Sequence, residues 1–211
     1  LETGQFTDGR KLEANGFELI NSGATQTDPL QLAHDWMALV RSGHRIAAVG
    51  SSDSHTVNFA IPGQGRTYLP MVDDDPANLD VDAVVDAILE GKTHVSFGLL
   101  TTLEIVDEKL QAKVLGPDWT QATSLTLFKN GNEIETIEIS SNSPRPGLKH
   151  TADWNLDALN AEKGDFFVAI ARGPGITGAW WAMMPPYQPD SPDFEPYVMG
   201  VSPAVFPLGR R

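Results

Sequence analysis

Along the first hundred residues the apolar positions switch between short continuous runs and helical spacing. Residues 16 to 21, GFELIN, read as a short strand. Asp28-Pro29 opens a helix, with aspartate as N-cap and proline at the first helical position. Leu32, Trp36, Leu39 and Val40 then recur on one stripe until Gly43 stops the helix. Ile46, Ala47, Ala48 and Val49 form a continuous apolar run closed by Gly50, the pattern of a strand covered on both faces. This strand, helix, strand order predicts a parallel crossover unit. After the glycine- and proline-rich stretch AIPGQGRTYLP, read as a loop, Asp80 caps a second helix. Its residues Val81, Val84, Val85, Ile88 and Leu89 share one face, and Gly91 ends it. THVSFG, residues 93 to 98, reads as another strand.

From about residue 100 the period shifts to two. TTLEIVDEKLQAKVL and TSLTLFKNGNEIETIEIS alternate apolar and polar residues. Asn130-Gly131 marks a hairpin, because these two residue types tolerate the positive φ that a tight turn requires. GDFFVAIARG and GAWWAMMPPY add two strand candidates, and the only helix candidate is short, Leu156 to Glu162. Short strands separated by turn signals predict an antiparallel β-sandwich. The expected organisation is an α/β segment over residues 1–99 and a β-sandwich domain over 100–211, with the boundary near residue 99.

Charge and composition narrow the functional classes. The 211 residues carry 15 Lys plus Arg against 28 Asp plus Glu, a formal charge of −13, with no basic run. Binding a polyphosphate backbone rests on cationic side chains displacing counterions, so nucleic acid is disfavoured as a partner. The absence of cysteine excludes disulfides, thiolate ligands and a cysteine nucleophile. No apolar run approaches the ~20 residues of a membrane helix, and no membrane partner is expected. The acidity is compatible with a saline, periplasmic or secreted setting. The start, LETGQFTDGR, has neither a methionine nor a signal-like apolar core, which raises the expectation of a piece of a longer chain.

The candidate chemistry lies just past the strand at 46–49, in Ser51-Ser52-Asp53-Ser54-His55. Polar groups at the carboxyl end of a buried strand stand where α/β sheets and barrels build their sites. Asp53, Ser54 and His55 are too close in sequence to face one another as a hydrolase triad, and the motif lacks the closing glycine of a nucleophile elbow. Two residues apart in extended backbone, Asp53 and His55 would project to one side and converge on one cation or on two adjacent ones. Oxygen and nitrogen donors without sulfur suit zinc, manganese or iron.

The run LVRSGHRIAAVGSSDSHTVN, then GRTYL, then DAILEGKTHVSFG, resembles the last part of the PHP-family (polymerase and histidinol phosphatase) metallohydrolases. WTQATSLTLFKNGNEI, GDFFVAIARG and MGVSPAVF are similar to the β-sandwich appended in one branch of that family. The resemblance implies the last strands and helices of a distorted (β/α)7 barrel, followed by the sandwich. It further implies a two- or three-metal centre that activates water against a phosphate ester or a related ester or amide. Asp53 and His55 would be metal ligands, Asp53 also orienting the water, with Ser51, Ser52 and Ser54 as supporting or turn residues. The family's opening His-x-His pair has no counterpart: the five histidines are 34, 44, 55, 94 and 150. The chain is therefore expected to be inactive alone, as the C-terminal fragment of a hydrolase or a remnant with an incomplete site. Its expected partner is the missing N-terminal part of the barrel or a second copy.

Other residues enter as candidates with simpler readings beside them. Asn21 and Glu18 flank the first strand's carboxyl end, Asn21 as a substrate contact or a turn residue. Arg66 could meet a substrate anion through its planar fork, or form a surface ion pair. His34 faces away from its helix's apolar stripe. Asp73-Asp74-Asp75 reads as a solvated loop. Trp154, Trp180 and Trp181 read as core, or as a sugar-stacking platform. The latter supports a rival function, a non-catalytic module whose β-sandwich binds a carbohydrate or protein partner.

Overall fold

The computed structural model describes residues 10, 12–21, 28–55, 60–71, 75–141, 145–181, 183 and 195–210. The first strand, helix and strand form as the pattern predicts. β1 (Gly16–Ile20) and β2 (Ala47–Gly50) pair in parallel across α1 (Pro29–Arg41). The Asp28 carboxylate accepts the Leu30 N–H at 2.9 Å, satisfying an orphan donor of the helix's first turn. Trp36 fixes the helix to the strand entry by donating its indole N–H to the Ile46 carbonyl at 3.0 Å.

Beyond β2 the chain does not continue as a barrel. β3 (Gly65–Tyr68) pairs antiparallel with β4 (His94–Phe97), which in turn pairs antiparallel with β11 (Tyr197–Val201). Between β3 and β4 lie a single 3-10 turn at Pro76–Asn78 and α2 (Val81–Leu89). The remaining strands are β5 (Leu100–Val106), β6 (Lys109–Leu115), β7 (Ser124–Lys129), β8 (Asn132–Glu138), β9 (Leu148–Asn155) and β10 (Phe167–Pro174). They complete a six-stranded sheet, β3-β4-β11-β10-β7-β8, and a three-stranded sheet, β5-β6-β9. All named pairings in these two sheets are antiparallel. The expected α/β barrel segment is thus corrected. Two α-helices and one parallel strand pair occur among the described residues, and no (β/α) barrel is present. Local periodicity marks a strand but not its partner, and β4 takes long-range antiparallel neighbours instead of extending the β1–β2 pair.

The six-stranded sheet is covered on both faces. One packs α1, β1 and β2 against Val95, Phe97, Val168, Ile170 and Met199. The other packs β5 and β6 against Leu125, Leu127, Phe167, Ala169 and Val198. This explains the unbroken apolar run in β10, whose alternate residues enter opposite cores. Residues on both sides of position 99 therefore share a sheet and a core.

Several local expectations change. Residues 65–68, read as loop, form β3. Residues 156–160 form turns in place of the helix candidate at 156–162, and Ala179–Trp181 is a 3-10 helix where a strand was expected. On α2 only Ala87 is buried, and Val81, Val85 and Leu89 remain 64, 46 and 44% exposed. The Asn130-Gly131 hairpin forms as expected, with φ of 54° and 83°. Asp75 caps the 3-10 turn by accepting the Ala77 N–H, whereas Asp73 and Asp74 lie outside the described residues.

That hairpin leads into a buried polar cluster. Asp165 takes an ion pair from Lys129 at 3.0 Å and hydrogen bonds from the Asn130 amide and the Glu162 N–H. Burial would raise the Asp165 pKa, but these three donors more than offset it and hold the carboxyl below its usual range. Because folding lowers this pKa, the associated stability is complete above the ordinary carboxylate value and is lost as the pH falls through the folded one. Denaturant titrations between about pH 5 and pH 2 should show Asp165→Asn losing stability less steeply in acid than the wild type. Equal acid slopes would refute the assignment.

Candidate functional site

Parallel pairing brings the carboxyl ends of β1 and β2 side by side, with Glu18 opposite Val49 and Ile20 opposite Gly50. Glu18 is the hub of this end. Its Oε1 accepts the Ser51 hydroxyl at 2.5 Å and its Oε2 accepts the Asn21 amide at 2.7 Å. The Ser51 N–H donates to the Ile20 carbonyl at 2.8 Å, extending the strand pairing by one step. β3 closes the other side: Thr67 Oγ1 accepts from the Gly50 N–H and donates to the Gly50 carbonyl.

The 51–55 loop is pinned by its hydroxyls. Ser52 Oγ accepts the Gly63 N–H at 3.2 Å, and Ser54 Oγ donates to the Ala60 carbonyl at 2.8 Å. Asp53 has φ of 48°, so the extended backbone expected there is replaced by a left-handed residue. Asp53 and His55 still come together: Nδ1 of His55 lies 3.4 Å from Asp53 Oδ1 and 2.8 Å from the Asp53 carbonyl. A carbonyl oxygen only accepts, so Nδ1 carries the hydrogen and the lone pair of neutral His55 is on Nε2. That is the tautomer a metal ligand or proton acceptor needs. The side chains are 79% and 46% exposed, so their mutual attraction adds little to stability.

Arg66 projects from β3 on the face away from the β2 side. Its Nε donates to the Gly63 carbonyl and its Nη1 to the Tyr68 hydroxyl at 3.2 Å. Ser52, Gly63 and Arg66 thus form a hydrogen-bonded chain from the 51–55 loop to a cleft of about 440 Å³ between the sheet ends. Arg66, Tyr68 and Ser96 line this cleft together with Trp119 and Trp181. Trp119 meets Trp181 at 5.0 Å and Trp180 at 4.8 Å, while the Trp181 indole N–H is buried without a partner among the described residues. Trp154 belongs elsewhere, buried on β9 and donating to Glu135. Sequence reasoning missed Trp119 because the rings it meets, Trp180 and Trp181, lie about sixty residues further along the chain.

The other histidines hold separate positions. His34 is exposed on α1, edge-on to Phe128 at 5.6 Å. His94 is half-buried, bonded to the Thr101 carbonyl, and burial lowers its pKa. Among the described residues no group of three or more His, Asp and Glu side chains is positioned to hold a metal ion. Asp53 and His55 are suitable donors, oxygen and nitrogen, but make only part of a ligand set. Comparison with protein families, curated proteins and solved structures returns no match to this chain.

Proposed function

We propose that this chain supplies one part of a metal-dependent hydrolase site acting on phosphate esters, or on related esters and amides. The observation that carries the reading is the contact of Asp53 with Nδ1 of His55 just past the end of β2, which leaves Nε2 as the available nitrogen. A bound divalent ion would lower the pKa of a coordinated water and polarise the bond under attack. His55 Nε2 would be a donor toward it, and the Asp53 carboxylate, set against Nδ1, would donate to the same ion or to an adjacent one. Glu18 holds the Ser51 end of the loop, and the Arg66 fork offers hydrogens to an anionic substrate group. The remaining ligands come from a part of the parent protein outside this chain or from a second copy.

Calorimetric titration with manganese or zinc tests the assignment. The wild type is expected to bind the ion, with affinity falling at least about tenfold in Asp53→Ala/His55→Ala, as loss of ligands requires. His34→Ala should leave binding unchanged. Equal binding by the double variant and the wild type would defeat the metal reading. It would favour the rival, a non-catalytic module, which the aromatic-lined cleft supports because carbohydrate and apolar ligands pack on such rings.

A further inference from the structure

At the opposite end of β2, a second cavity of about 520 Å³ opens between the end of α1, the β7–β8 turn and the last described residues. It is lined by three arginines, Arg41, Arg45 and Arg210, in a chain whose formal charge is −13. We propose that this cavity binds the phosphoryl group of a small phosphate monoester, independently of the Asp53–His55 site.

The charge balance of the cavity carries the proposal. Arg41 lies in the last turn of α1, where a cation answers the negative end of the helix dipole. Arg45 and Arg210 have no such local role, and neither pairs with a carboxylate among the described residues. The one carboxylate lining the cavity, Asp165, is already engaged by Lys129, Asn130 and the Glu162 N–H. The Arg210 guanidinium is fixed over the Phe206 ring, 4.4 Å from its centroid, which orients its planar fork. Both cations line the cavity, where burial, and then the charge of Arg45, lower the Arg210 pKa, a cost that a bound anion would relieve. A dianionic phosphoryl group matches two forks in charge and acceptor geometry. Phe166 and Phe206 offer apolar wall to its organic part, and the volume falls within the ~300–1,000 Å³ of small-molecule sites.

The test is a ¹⁵N-NMR titration of the full chain with O-phosphoserine at constant ionic strength, beside serine and inorganic phosphate. The amides of Gly43, Asn130 and Gly164 should shift with phosphoserine and phosphate but not with serine. Arg45→Ala and Arg210→Ala should each weaken phosphoserine binding at least about tenfold, as loss of a charged fork implies. Arg45→Lys/Arg210→Lys, which keeps the charge and guards against misfolding, should retain weaker binding. Asp53→Ala/His55→Ala should bind like wild type, separating this site from the proposed hydrolase centre. Shifts centred on Ser52 to His55, or unchanged affinity in a folded arginine-to-alanine variant, would overturn the proposal.

Discussion

Phe97→Ala is expected to lower the unfolding free energy by about 3–5 kcal/mol, the usual cost of truncating a buried phenylalanine. Phe97 is 1% exposed and meets Trp181 and Tyr197 with ring centroids 5.5 Å away in each case. Its strand, β4, precedes position 99, whereas both partner rings follow it. Chemical denaturation followed by tryptophan fluorescence and by far-UV circular dichroism should therefore show one shifted transition. Trp36 and Trp181 both belong to the same core as Phe97, so their signals should move together. Two separated transitions, with only one displaced, would show instead that residues 1–99 and 100–211 unfold as independent domains.

Gly65→Ala should act on stability and on the candidate site at once. A Cβ at this position would stand 2.2 Å from the Ser51 carbonyl oxygen and 3.0 Å from Ile20 Cγ2. The first neighbour is backbone and cannot rotate away. Either β3 or the start of the 51–55 loop must move, and overpacking of this kind costs about 1–3 kcal/mol. Gly16→Ala is the control, because its added carbon would meet Val49 at an ordinary 3.6 Å. Metal titration of folded Gly65→Ala should show weaker binding than Gly16→Ala if Asp53 and His55 are ligands. A Gly65→Ala protein with wild-type stability would show that Ser51 yields freely, contrary to its hydrogen bonds with Ile20 and Glu18.

The elements written in local chemistry were legible in the amino-acid sequence. Asp28-Pro29 announced α1, Asn130-Gly131 the β7–β8 hairpin, and GDFFVAIARG the strand β10. β3 was hidden because its inward positions are Gly65 and Thr67, small or polar residues that close on Ser51 and Gly50 through backbone approach and hydrogen bonding. Without a hydrophobic alternation, GRTY looked like loop. The barrel expectation failed at the same place. A strand, helix, strand opening suits a parallel sheet, but nothing local declares that β4 pairs with a strand about a hundred residues later. The Asp53–His55 contact was readable because the two residues are neighbours in the chain. The Glu18–Ser51 contact and the Trp119-lined cleft were not, since each needs strands or sheet ends brought together by the fold.

The position of β11 constrains how the protein can be made. It follows every other described strand of its sheet in chain order, yet it sits in the middle of the six-stranded sheet, bonded to β4 on one side and β10 on the other. Until residues 197–201 emerge, β3 and β4 have no bond to the rest of that sheet, and both partner edges wait uncovered. Nascent chains stalled before this strand should consequently recruit chaperones and fall to proteases, so the yield of folded protein depends on translation passing β11.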